Sequence, residues 1–286
     1  ALPIQRILLN NMEDFEMEKK MYQISEDAYL RHISEKLYLC NMLRATFRSA
    51  EDTRFVLVEV NGIKIGFMSY ATYFNHKEEH LSNEGRAILL NRYSKERVER
   101  DVQAARAAGA EYVMVYIHWG VEYKNDPKLV VSIPMTEKLS GKKFSLWAAI
   151  DIQPGMAQEL ADGGVDYILG SHPPALQPYD VITAADGRKV PVIYSLGNFV
   201  SHQKKDVSKD TIILRVILSR DANGNVVLAK EGYVPARMHV SYEGRNYTVI
   251  PLTYPYRKDN MSKEFAPAYE RITKVIGGKL PIMGTF

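Results

Sequence analysis

Glu111-Tyr112-Val113-Met114-Val115-Tyr116-Ile117-His118-Trp119-Gly120 decides how this chain folds. The run from Glu111 to Ile117 is short and apolar, as a strand covered on both faces requires. Upstream, Ser94 opens a helix to about Ala108. Val98, Val102, Ala105 and Ala108 keep helical spacing there, and Gly109 supplies the stop. Downstream, Pro154 starts a helix that runs to about Asp162 and ends at Gly163-Gly164. Val165 to Leu169 then forms another short strand. Strand, helix, strand, helix, strand predicts α/β layering.

Outward from that centre, Phe55 to Val60 and Ile63 to Tyr70 read as strands joined at Asn61-Gly62. Both of these residues accept positive φ, so the pair signals a two-residue hairpin. Thr72 to Tyr93 reads as a polar loop, and Glu122 to Asp151, with Pro127 and Pro134, as an irregular insertion. Beyond Val190 the texture becomes antiparallel β: Val190 to Leu196, Thr211 to Leu218, Val226 to Leu228, Gly232 to Val240 and Tyr247 to Leu252. Asp221-Ala222-Asn223-Gly224-Asn225 turns one hairpin. Ser262 to Ile276 reads as a closing helix despite Pro267. Residues 1–45 read as a charged, helix-biased segment, 46–252 as the α/β domain and 253–286 as an extension with a helix.

With 286 residues, 46% apolar and 25% charged, the chain has the composition of a globular protein. Its 37 Lys+Arg against 34 Asp+Glu argues against a nucleic-acid binder, which concentrates basic charge on one face. The single cysteine, Cys40, excludes an internal disulfide and a Cys-rich zinc site. No run approaches the roughly 20 apolar residues of a membrane span, and Ala1-Leu2-Pro3-Ile4-Gln5-Arg6 does not resemble a secretion signal.

Three strand ends carry the candidate chemistry. The first is Ile117-His118-Trp119-Gly120-Val121-Glu122. Ligands of open α/β sheets bind beyond the carboxyl ends of the strands. An imidazole there can hold a metal through one nitrogen while a partner such as Glu122 orients the other. His118 is equally compatible with a local hydrogen-bonded role beside Trp119. The second end, Leu169-Gly170-Ser171-His172-Pro173-Pro174, repeats the design, and His172 is either a ligand or an incidental member of a rigid loop. If the two strands are neighbours, the imidazoles meet over one sheet edge. The third end is Tyr194-Ser195-Leu196-Gly197-Asn198-Phe199. The Asn198 amide can orient a phosphate or a histidine, or simply close a turn. Ser195 lacks the Gly-x-Ser-x-Gly setting of a nucleophile elbow. His76-Lys77-Glu78-Glu79-His80 is not a zinc-protease motif, and no phosphate loop or dinucleotide fingerprint occurs.

Taken in this order, the strand-end motifs resemble the CapA family of capsule synthesis (poly-gamma-glutamate biosynthesis) proteins. Val60 to Phe67, Ala104 to Tyr112, Ile117 to Glu122, Ala161 to Pro173 and Tyr194 to Phe199 carry the resemblance. It implies an αββα sandwich of the metallophosphoesterase type, partial here, with an antiparallel β C-terminal part. It implies His118 and His172 as ligands of a divalent metal (manganese, iron or zinc) and, with Asn198, as catalytic groups. It also implies Glu122, Trp119 and Ser171 as substrate-facing groups. The expected partners are an anionic polymer or phosphorylated substrate and the membrane subunits of a capsule synthase, without nucleic acid. The expected location is the cell envelope, at the extracytoplasmic face of the membrane.

Two departures matter. Where the family has a second histidine in His-Pro-His, this chain has Pro174, and residues 1 to about 45 contain neither the family's Gly-Asp nor its Asn-Asn-His-x-x-Asp motif. Two roles fit these residues. One is a metal-dependent phosphoesterase-like hydrolase. The other is a non-catalytic scaffold or polyanion-binding component of a synthesis or export complex.

Overall fold

A computed structural model describes residues 53–72, 74, 77–120, 133–136, 143–146, 152–201, 203–240, 247–252 and 262–283. The chain enters through a hairpin of β1 (Val56–Val60) and β2 (Ile63–Ala71). Asn61 (φ 50°) and Gly62 (φ 76°) turn it, both in the left-handed region that the twist of a tight hairpin demands. The segment after β2 is less irregular than its polar composition predicts. A 3-10 turn, Lys77–His80, precedes α1 (Asn83–Leu89), which is capped by the Ser82 hydroxyl accepting from the Gly85 amide. Short helices with no buried residue leave little periodic signal, and α1 buries none.

Next come α2 (Lys95–Ala107), β3 (Tyr112–His118), the small hairpin β4 (Ile133–Thr136) and β5 (Lys143–Leu146), α3 (Ile152–Asp162) and β6 (Tyr167–Ser171). Ser94 caps α2 by accepting from the Arg97 amide at 3.2 Å. The hairpin occupies part of the segment expected to be irregular. The rest of that segment, Glu122 included, lies outside the described residues, as does the whole of 1–45. β7 (Tyr179–Thr183) and β8 (Lys189–Ile193) complete a six-stranded sheet in the order β1-β2-β3-β6-β8-β7. β2, β3, β6 and β8 run parallel within it. β7 went unforeseen, because Tyr179-Asp180-Val181-Ile182-Thr183 mixes exposed and buried positions at an edge.

A second, antiparallel sheet holds β9 (Asp210–Arg220), β10 (Val226–Val240) and β11 (Tyr247–Pro251). The two strands expected around Gly232 are one 15-residue strand, β10, with its register shifted between Leu228 and Lys230. The extra bulge residue interrupts the pattern without ending the ladder. α4 (Ser262–Ile276) keeps Pro267 inside the helix.

The layers follow from alternation along the strands. Val113, Val115 and Ile117 of β3 face α2 and α3, packing with Val98, Val102, Ala157 and Leu160. Tyr112 and Met114 point the other way, between the sheets, against Leu214, Val216 and Leu218 of β9. Phe265, Ala268, Ile272 and Ile276 of α4 pack with Ile212 and Tyr233 on the second sheet and with Tyr179 and Ile193 on the first. A helix layer, a mixed sheet and an antiparallel sheet stacked on it match the α/β expectation.

Candidate functional site

The same alternation sorts the residues at the end of β3. His118 shares its face with Tyr112, Met114 and Tyr116, between the sheets, whereas Trp119 continues the helix-facing row of Ile117. In the parallel register Ala71 lies opposite His118, and His118 lies opposite Ser171. His172 therefore leaves β6 one step past its partner's imidazole. The two rings meet with centroids 4.3 Å apart and planes inclined at 44°.

Three local features hold this geometry. His172 has φ 90°, and among the described residues it shares positive φ outside glycine only with Asn61. Such a conformation costs about 1–3 kcal/mol and persists only where the surroundings enforce it. Here the surroundings are Pro173-Pro174 and a buried hydroxyl. Ser195 Oγ donates to the Pro173 carbonyl at 2.8 Å and accepts from the Gly197 amide at 3.1 Å, tying the second and third strand ends together. Gly170 leaves room for the crossing of strands, since a Cβ there would stand 2.0 Å from the Tyr194 carbonyl oxygen and 2.6 Å from the Trp119 indole nitrogen.

The sequence-derived candidates divide into three groups. His118, His172 and Ser171 line one cleft of about 560 Å³, with Asn198 on its wall. Ser171 Oγ donates to the Ile117 carbonyl at 3.1 Å, within the strand pair. Asn198 Nδ2 donates to the Ser208 carbonyl at 2.9 Å and to Ser201 Oγ, so its amide nitrogen serves the loop rather than the cleft. Trp119, expected to face substrate, lies in the core at 1% exposure, with its indole N–H donated to the Tyr194 carbonyl at 2.8 Å. Its place in the helix-facing row accounts for the difference. Glu122 is outside the described residues.

Sequence reasoning missed Tyr116, Leu196, Phe199 and Val200 as cleft residues. The parity of β3 would have found Tyr116, whereas Phe199 and Val200 sit in a loop with no periodicity to read. Also missed was the buried amide pair behind the cleft. Gln153 Nε2 donates to Gln177 Oε1 at 2.7 Å, and a Cβ on Gly120 would collide with Gln153 Oε1 at 2.7 Å.

Electrostatically the cleft is plain. Among the described residues, no Lys, Arg, Asp or Glu lines it. A transition-metal centre takes three or more protein donors. Among the described residues, no group of three His, Cys, Asp or Glu side chains converges anywhere. Two imidazoles thus form half a donor set, and the described residues do not by themselves fit a resident metal.

The model for "Bacterial capsule synthesis protein PGA_cap" matches residues 45–129 and 147–203, which include both histidines and Asn198. The PGA biosynthesis protein CapA of Bacillus subtilis (strain 168) is 30% identical over 115 residues, covering 40% of this chain and 23% of that protein. The capsule biosynthesis protein CapA of Bacillus anthracis is 30% identical over 179 residues, covering 60% of this chain and 35% of that protein. The chain thus spans between about a quarter and a third of these curated relatives. Among solved structures it is similar to the calcineurin-like phosphoesterase YfkN from Bacillus subtilis. There the TM-score is 0.34 and the identity 13%, covering 78% of this chain and 59% of that one. With its strand-end motifs inside the matched segments, the chain belongs to the bacterial capsule synthesis protein family.

Proposed function

We propose that this chain serves the synthesis or export of a bacterial capsule polymer, poly-gamma-glutamate by the names of its relatives, and that the strand-end cleft binds an acidic group of that polymer. The observation carrying this reading is the imidazole pair, 4.3 Å between centroids, in a cleft that no described carboxylate lines. Ring N–H groups at that spacing can donate to a carboxylate or phosphate, and among the described residues no like charge lines the cleft. Ser171 and the walls around Pro173 and Leu196 shape the seat. The envelope location belongs to the same reading.

The second reading is metal-dependent hydrolysis. It is favoured by the same two imidazoles and by the backbone strain at His172. When bound, a divalent metal would supply Lewis acidity and an activated water. His118 and His172 would hold it, and further donors would have to join them, since among the described residues no third His, Cys, Asp or Glu converges there.

Binding of γ-linked glutamate oligomers, with and without added manganese or zinc, separates the two. Under the first reading, affinity needs no metal and falls as salt rises, because the guest is anionic. Under the second, it requires added metal and is lost to a chelator. Oligomer binding that ignores His118→Ala and His172→Ala defeats both.

A further inference from the structure

The cleft has a mouth unlike the rest of the surface. Phe199 and Val200 stand side by side there at 51% and 57% exposure, the highest of any large apolar side chain among the described residues. Tyr116, at 43%, lies on the adjoining wall. These side chains are held out by a built loop. The Ser201 amide donates to Met238 Sδ at 3.2 Å, the Gln203 amide to Ser201 Oγ at 3.3 Å, and Asn198 ties the loop back to Ser208. Lys204 and Lys205 follow, both exposed. The neighbouring carboxylate, Asp206, is turned to Arg237 at 2.7 Å. An aromatic and an aliphatic side chain presented beside a lysine pair combine the two forces that hold a protein on a charged bilayer surface: apolar burial at the headgroup boundary and attraction to lipid phosphates.

We propose that residues 199–201 and 203–205 dock this chain onto an anionic lipid surface. Phe199 and Val200 enter the headgroup boundary, and Lys204 and Lys205 face the phosphates. The mouth of the cleft then opens toward the membrane plane, so that whatever reaches His118 and His172 arrives from that side. This holds independently of which ligand the cleft takes.

The test is cosedimentation of the 286-residue chain with two kinds of vesicle. One is phosphatidylcholine alone, and the other contains roughly a third phosphatidylglycerol. The chain should sediment with the anionic vesicles only, less so as salt rises. Lys204→Ala with Lys205→Ala should weaken binding about 25-fold, about five-fold per lysine. Phe199→Ser should weaken it about ten-fold. Both variants should keep the parent's melting temperature, since these side chains are exposed. The proposal is overturned if the parent stays in solution with both vesicles, or if the variants bind as it does. It is equally overturned if Phe199→Ser abolishes a dimer while no vesicle is bound, or if the lysines serve only soluble poly-gamma-glutamate.

Discussion

The two ends of the six-stranded sheet are built on opposite principles. At the amino ends of β3, β6 and β8, charge is plentiful, and Arg106, Asp166, Arg188 and Glu231 are paired. Asp166 accepts from Arg106, from Arg188 at 3.2 Å and from the Val113 amide at 2.7 Å. Glu231 on the facing sheet accepts from the Tyr167 hydroxyl at 2.6 Å and from that of Tyr179. Burial, and then the Glu231 carboxylate, push the Tyr167 phenol far above its ordinary range, so it stays a proton donor. At the carboxyl ends the cleft is lined by imidazoles, hydroxyls, two amides and apolar side chains, over a strained His172. One end saturates its polar groups internally and contributes stability. Both ends border a cavity, but at the amino end Asp166, Arg188 and Glu231 line it already paired, whereas at the carboxyl end the strained His172 gives up some stability.

The contrast can be broken most severely at the glycine that lets the strand ends meet. Gly170→Ala places a Cβ 2.0 Å from the Tyr194 carbonyl oxygen. Because that clash is with backbone, it should cost more than about 4 kcal/mol in denaturant melts. At the amino end, Asp166→Ala leaves the Val113 amide without its carboxylate partner and removes one partner each from Arg106 and Arg188, which keep their carbonyl contacts. It should cost about 2 kcal/mol in the same melts while leaving oligomer binding unchanged. His172→Gly should reverse the pattern, with stability rising by about 1 kcal/mol as the φ strain is relieved and ligand binding lost.

A smaller effect concerns the acid side of the stability curve. The Arg237 guanidinium holds the Asp206 carboxyl below its ordinary range. It does the same for Glu264 against the opposing effect of burial, with His239 assisting. A depressed folded-state value means that the contribution is present above the ordinary carboxylate range. It is lost as pH falls through that range and below. Melting temperature should therefore decline on acidification, and Arg237→Met should flatten the decline because the charges it serves no longer gain from ionising.

Much of this architecture was written in local pattern. Val98, Val102 and Ala105 placed α2, Asn61-Gly62 placed the first hairpin, and Ser262 to Ile276 marked α4 to the residue. Pairing in three dimensions was harder to read. β7 is an edge strand whose partner β8 supplies its reason to exist, and the bulge at Leu228/Lys230 hides the continuity of β10. At the site, the two histidines were legible because each ends an apolar strand before or after a glycine. The burial of Trp119 was legible in principle from the alternation that continues past Ile117. The Ser195 staple and the Gln153–Gln177 pair were not, because each joins segments distant in sequence.

The most direct measurement of the central claim is calorimetric titration of γ-linked glutamate oligomers into the metal-free parent, His118→Ala and His172→Ala proteins. The parent should bind. Either substitution should weaken binding at least about ten-fold, the loss of one charge-assisted hydrogen bond, with melting temperature preserved for His118→Ala. Equal affinity in all three proteins, or no binding by the parent, would contradict the account.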